Sequence, residues 1–202
     1  MLTVWESIQA RRSVRRFDSS RDVPNEMVQQ LLEAGRKAQS GGNRQPWRFL
    51  VVRDTETKKE LRRIKGLKFI EEAPVIIVVF GDIGIYLADS AKKRAAEAEA
   101  EGTATPEASR RAQYFLTMDH EQALMHVAAN TYISISYIIL MAASMGLGTC
   151  WLGTTSYIKE LSQFLGYPEN LLPLAMIAVG YPAGEVPPQA KRLEMEKLLL
   201  KK

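Results

Sequence analysis

Val127-Ala128-Ala129-Asn130-Thr131-Tyr132-Ile133-Ser134-Ile135-Ser136-Tyr137-Ile138-Ile139-Leu140-Met141-Ala142-Ala143-Ser144-Met145-Gly146-Leu147 is the most hydrophobic stretch of the chain, and its reading decides the fold. Its length approaches that of a membrane span. Asn130, Thr131, Ser134, Ser136 and Ser144 argue against one, because each would carry a polar group that is costly in lipid without a partner. A helix that is apolar nearly all round in a soluble protein is a central buried helix or an oligomer interface. The stretch is therefore read as part of one long helix, about His120 to Met145, stopped by Gly146-Leu147-Gly148.

Outward from this helix the chain alternates helical and strand patterns. Leu2, Trp5 and Ile8 recur at helical spacing, and Met27, Val28, Leu31 and Leu32 line the stripe of a helix opened by Pro24 and running to about Lys37. A charged helix is expected over 55–65 and another from Ser156 to Leu165, closed by Gly166. Strands are expected at Trp47 to Arg53, Ala73 to Phe80, Thr149 to Leu152 and Leu174 to Tyr181. The run Val75-Ile76-Ile77-Val78-Val79-Phe80 has no polar alternation, as suits a strand covered on both faces. The tail from Pro187 ends in a basic, Leu-rich segment read as a helix. With no internal repeat and no linker, residues 1–202 form a single α+β domain with a mixed sheet of four or five strands. Residues 84–118 shift to Ala, Glu, Lys and Arg with Gly102 and Pro106 as breakers; they read as a helical lid or as a plain solvated insertion.

Bulk composition removes several classes of function. Lys+Arg 27 against Asp+Glu 23 leaves a formal charge of +4, too small a bias to indicate nucleic acid. Cys150 is the single cysteine, so no internal disulfide forms and a cytoplasmic location fits. His120 and His126 lie six apart and share no helical face well, so no metal site is expected. Glu6, Arg11 and Arg12 arrive before any apolar leader could form, and no secretory signal or membrane span is expected.

Arg11-Arg12-Ser13-Val14-Arg15-Arg16-Phe17 concentrates four arginines around a serine. As an extended segment it turns Arg11, Ser13 and Arg15 to one face, and Arg12, Val14 and Arg16 to the other. Guanidinium forks flanking a hydroxyl suit a phosphate; a solvated basic strand has the same composition. Ser40-Gly41-Gly42-Asn43-Arg44-Gln45-Pro46-Trp47 offers amides and a hydroxyl on a glycine-softened loop, able to hydrogen-bond a planar heterocycle. Gly146-Leu147-Gly148 followed by Gly153 is not a dinucleotide loop, since it follows a helix instead of a strand; these glycines are read as ending the helix and letting backbone approach a ligand. Cys150, between Thr149 and Trp151 in a strand, is read as an inert core residue.

In order and spacing these pieces resemble the FMN-dependent nitroreductase family over nearly the whole chain. The carriers are Arg11-Arg12-Ser13-Val14-Arg15, Ser40 through Trp47, Ala73-Pro74, Gly146 through Gly153, Val179-Gly180-Tyr181-Pro182 and the basic tail. The resemblance implies a nitroreductase-like, mainly antiparallel sheet flanked by helices. It also implies a homodimer with FMN at the subunit interface, the long helix forming much of that interface. In that scheme Arg11 and the tail's Arg192, with Lys191 beside it, hold the flavin phosphate. Ser13 assists, Arg12 lies alongside and Arg15 faces the pyrimidine edge. Ser40, Asn43 and Gln45 reach the flavin of the other subunit, and the backbone N–H groups of Leu152 and Gly153 sit near the reactive edge of the ring. A further basic contact falls among Lys65, Gly66 and Lys68. Tyr86, Tyr114 and Phe115 are candidate lid residues. The activity implied is NAD(P)H-driven, ping-pong reduction of an electron-poor acceptor such as a nitroaromatic or quinone. The cofactor carries the chemistry, and no catalytic side chain is expected. Alternatives are a deiodinase-like or flavin-consuming enzyme of the same fold, or a basic nucleic-acid-binding module.

Overall fold

Eight residues, Val75–Asp82 (β2), form the strand expected from the unbroken apolar run, and every residue from Val75 to Phe80 is almost wholly buried. The structure, a computed structural model, describes residues 1–105, 110 and 114–200. Among these, Trp47–Val52 (β1), β2, Gly148–Gly153 (β3) and Leu171–Gly180 (β4) make a four-stranded sheet in the order β1-β2-β4-β3. All neighbours are antiparallel. The parallel character expected of a mixed sheet is confined to one bridge, between Ser13 and Thr149. The α+β class, the strands and the long helix follow the sequence reading to within a few residues.

Side-chain alternation splits β2 and β4 between two cores. Val75, Ile77 and Val79, with Ala175, Ile177 and Val179, face the helices Asn25–Arg36 (α2) and His120–Ser144, the long central helix. Ile76, Val78 and Phe80, with Met176 and Ala178, face Leu61 of Thr55–Lys65 (α3), Ile70 of the short helix Phe69–Glu72 (α4) and Leu161 of Ile158–Leu165. Helices on both faces explain why the central strands contain no polar alternation.

The first helix, Val4–Ala10 (α1), starts from a capping box between Thr3 and Glu6. The central helix starts from another, between Asp119 and Gln122, and ends where Gly146 turns left-handed at φ +75°. Its buried stripe is Ala123, Val127, Thr131, Ser134, Ile135, Ile138 and Ala142, at helical spacing. The helix is long and apolar enough to cross a bilayer by length and composition. In the fold that apolarity is used on one side by the sheet and α2, while Tyr132, Ile133, Leu140 and Met141 stay half-buried and Tyr137 is exposed. Ala88–Ala100 forms a helix within the expected lid, of which 106–109 and 111–113 lie outside the described residues. The tail departs from expectation: among its described residues only Met195–Leu198 is helical, and Leu193, Met195, Leu198 and Leu199 are exposed. A single turn with no face to bury its leucines against has little to hold it.

One packing detail positions the site. Gly148 and Gly180 stand opposite each other in the β3–β4 register. A Cβ on Gly148 would lie 2.7–3.0 Å from three atoms of Val14, and one on Gly180 would lie 2.9 Å from Phe17. The paired glycines therefore leave a seat for the two apolar residues of the arginine stretch. Gly148 makes room for the chain's own Val14 side chain here, where the sequence suggested a ligand's approach. Gly148→Ala should destabilise the protein by about 1–3 kcal/mol, because β-branched Val14 cannot rotate away. Urea midpoints will show this, with part of the loss recovered in Gly148→Ala/Val14→Ala; an unshifted midpoint would contradict the seat.

Candidate functional site

α1 ends at Arg11, after which the chain runs extended. The N–H of Val14 donates to the Thr149 carbonyl at 2.9 Å, and the N–H of Asp18 donates to the Tyr181 carbonyl at 2.9 Å. The alternation read from sequence holds over 11–14, where Val14 is buried while Arg11 and Ser13 open into a cleft of about 650 Å³; past it Arg15 and Arg16 are both exposed and Phe17 is buried. Tyr132, Ser136, Ile139 and Leu140 of the central helix form one wall, and Thr149, Trp151 and Gly153 of β3 another. The volume is that of a small-molecule or cofactor site, and the lining combines apolar walls with few polar groups. Gly153 has nothing within 4 Å of where a Cβ would stand, so the backbone there is open to close approach.

Arg12 has another task. Its Nη1 donates to the carbonyls of Gln9, at 2.5 Å, and Arg11, at 2.9 Å, satisfying the free end of α1. Arg15 is exposed and does not line the cleft; its Nη1 lies 3.5 Å from the Ser13 carbonyl. Leu152 points into the core, so only its backbone faces outward. Of Lys65, Gly66 and Lys68, it is Lys65 at the end of α3 whose Nζ donates to the Gly153 carbonyl, at 2.6 Å, and stands 4.3 Å from the Tyr157 ring centre. Burial pushes its pKa down from the ordinary lysine value. Trp151, exposed and edge-on to Tyr132 at 5.2 Å, was hidden in the sequence by a strand that otherwise reads as core.

Ser40, Asn43 and Gln45 are brought together elsewhere, in one hydrogen-bonded loop. The Gln45 N–H donates to Ser40 Oγ at 2.9 Å, and Gln45 Nε2 donates to Asn43 Oδ1 at 3.2 Å. Asn43 and Gln45 are left-handed without being glycine, at φ +51° and +50°. Such residues cost roughly 1 kcal/mol or more each and cluster where a loop must present groups in a set direction. Gly41 and Gly42 of this loop border a second cleft, of about 540 Å³, with Tyr86, Tyr114, Phe115 and His126. Tyr86 stacks on His126 at 5.7 Å, and the Arg44 guanidinium lies 3.6 Å over the Phe115 ring. The expected lid aromatics thus cluster around His126, a residue the sequence left without a role.

Within one chain, then, Arg11, Ser13 and Gly153 share a cleft, with Lys65 bonded at its rim. Ser40, Asn43 and Gln45 form a separate group, and Lys191 and Arg192 sit on the exposed tail, outside both linings.

A model of the nitroreductase family matches residues 8–181. A relative named NADH dehydrogenase from Thermus thermophilus is 35% identical over 194 residues, covering 94% of this chain and 91% of its own. Mouse iodotyrosine deiodinase 1 is 25% identical, covering 97% of this chain and 68% of its own. Among solved structures, a nitroreductase family protein from Streptococcus pneumoniae superposes with TM-score 0.78 at 23% identity, covering 99% of this chain and 100% of the other.

Cys150, on β3 beside this cleft, tests how closed that strand is. Burial pushes its thiol pKa up, and the charge of Arg15 opposes this to a smaller degree. Thiolate therefore forms at higher pH than for a free cysteine, and reaction with Ellman's reagent should be slow in native protein and complete on unfolding. Rapid native labelling would show that β3 opens.

Proposed function

The chain belongs to the nitroreductase family of oxidoreductase enzymes, and from that premise we propose that it is an FMN-dependent NAD(P)H oxidoreductase acting on small electron-poor acceptors such as nitroaromatics or quinones. The observation that carries this reading is the pairing of Arg11 and Ser13 across one cleft from the open backbone at Gly153. A phosphate dianion favours an arginine fork and a hydroxyl, and the apolar wall of Tyr132, Ile139 and Leu140 suits a planar ring. The donor set therefore fits FMN.

When bound, the flavin supplies the hydride-transfer chemistry, so the chain's work is to bind, orient and shield. Arg11 and Ser13 hold the phosphate, joined by Lys191 and Arg192 of the tail. Arg15, exposed and outside the cleft lining, would have to turn inward to face the pyrimidine edge. The N–H groups of Leu152 and Gly153 orient the reactive edge, and Lys65 keeps a positive charge near it through its bond to the Gly153 carbonyl. Ser40, Asn43 and Gln45 do not line this cleft, so we assign them to the cleft of a second copy in a homodimer. The half-covered side of the central helix is the contact between copies. The second cleft then faces the partner's flavin as the acceptor side, and Tyr86, Tyr114 and Phe115 border it as lid residues. A cytoplasmic location is part of this reading and agrees with the lone, buried Cys150.

A second reading of the same site, reductive dehalogenation, is favoured by the similarity to iodotyrosine deiodinase 1. Iodide release from an iodinated tyrosine under reducing conditions distinguishes it from nitroaromatic reduction.

The purified protein should be yellow, or become so with FMN, and should bleach anaerobically with NADH or NADPH; a protein that takes up no FMN sinks the proposal. Arg11→Ala should weaken FMN binding roughly ten- to a hundredfold, the loss of a charge-assisted hydrogen bond. Binding of riboflavin, which lacks the phosphate, should hardly change. Equal weakening of both ligands would remove Arg11 from the phosphate.

A further inference from the structure

Asn130 lies on the central helix and is 9% exposed, yet it uses both ends of its side chain. Its Oδ1 accepts from the Gly41 N–H at 2.8 Å. Its Nδ2 donates to the Tyr86 hydroxyl at 3.1 Å and to the His126 carbonyl at 2.7 Å. The amide has only one orientation that satisfies these partners, because an N–H cannot accept and a carbonyl cannot donate. One side chain thus joins the glycine edge of the second cleft to the aromatic ring opposite it.

That tie reaches further along the chain than the loop's internal hydrogen bonds. Those are short-range: the Asn43 N–H to the Ser40 carbonyl, the Gln45 N–H to Ser40 Oγ, and Gln45 Nε2 to Asn43. They shape the loop, and it also rests on the fold through Arg44, 3.6 Å over the Phe115 ring, and through the preceding Gln39, whose Oε1 accepts from the Tyr137 hydroxyl at 2.7 Å. Two left-handed residues give it reason to relax if released. The Gly41–Asn130 bond spans 89 positions and anchors it to the core. On the other side Tyr86 is 2% exposed and stacked on His126, so it is a fixed reference.

We propose that Asn130 is a positioning residue, setting the Ser40–Gln45 loop at a fixed separation from Tyr86 and so holding the mouth of the acceptor-side cleft. The proposal rests on the reading of that cleft as the acceptor side and deepens it. Asn130 touches no substrate and acts through Gly41 and Tyr86. A buried amide that merely satisfied the core would lower stability evenly and leave the loop and the kinetics alone.

The test uses the full-length holoprotein as Asn130→Ala, Asn130→Asp, Tyr86→Phe and the double variant Asn130→Ala/Tyr86→Phe. Amide hydrogen exchange in 40–45 should quicken at least about tenfold in Asn130→Ala relative to peptides of β2 and β4. Asn130→Asp keeps an oxygen for Gly41 while setting another against the His126 carbonyl; it should leave the Gly41 amide protected, which keeps the test open if the alanine variant fails to fold. In steady state with a nitroaromatic acceptor, Asn130→Ala should raise KM several-fold with a smaller change in kcat. Adding Tyr86→Phe should change KM little further, since both act through one linkage. Uniformly faster exchange with unchanged KM, or fully additive effects, would overturn the proposal. A wild type that neither binds FMN nor oxidises NAD(P)H would defeat the proposed function instead, and the exchange experiment would still decide the role of Asn130 in placing the loop.

Discussion

The rest of the site depends on a contact between small and branched residues: Val14 and Phe17 seated over the facing glycines 148 and 180. Without that seat the arginine stretch would be a solvated basic segment, as its composition alone permits. With it, the Val14 N–H reaches the Thr149 carbonyl, the segment becomes extended, and alternation turns Arg11 and Ser13 toward β3 and the central helix. Apolar packing thereby sets the direction of charge. The guanidinium that the proposed phosphate needs is aimed by two hydrophobic neighbours that never touch it.

The central helix serves as the axis of both clefts. Tyr132, Ser136, Ile139 and Leu140 line the first, and His126 lines the second one to two turns earlier, where Asn130 ties the glycine loop. Such a helix must be buried enough to be rigid and open enough to display polar groups, which accounts for its mixed surface: a packed stripe from Ala123 to Ala142 and a half-covered flank. Its capping box at Asp119 and left-handed stop at Gly146 fix both ends, so residues along it keep constant spacing.

Much of this was legible in the sequence where one local rule dominated. The β-branched run before Phe80 could only be a buried strand, and the stripe of Met27, Val28, Leu31 and Leu32 could only be one face of a helix. The pairing of Arg11 with Ser13 followed from period-two alternation. What stayed hidden was set by partners distant in sequence. Gly148 appeared to await a ligand, because nothing local reveals that Val14 fills the space. Arg12 was read only as lying alongside, on the face away from Arg11, and nothing local showed that its Nη1 meets the carbonyls ending α1. Lys65 could not be chosen over Lys68 without knowing that α3 runs past Gly153. Asn43 and Gln45 carried no sign of left-handed backbone beyond their neighbouring glycines. The tail was read as a helix from its leucines, but a leucine stripe specifies a helix only when something covers it.

The single bridge between Ser13 and Thr149 has a colloidal consequence. Among the described residues β3 is the outer strand of its sheet, paired with β4 on one side and bridged on the other by the N-terminal segment at that point. Bare strand edges recruit the strands of other molecules. The cleft of Arg11 and Ser13 lies along the same edge, so whatever fills it also shields the sheet. On that geometry a filled cleft should slow edge-to-edge aggregation.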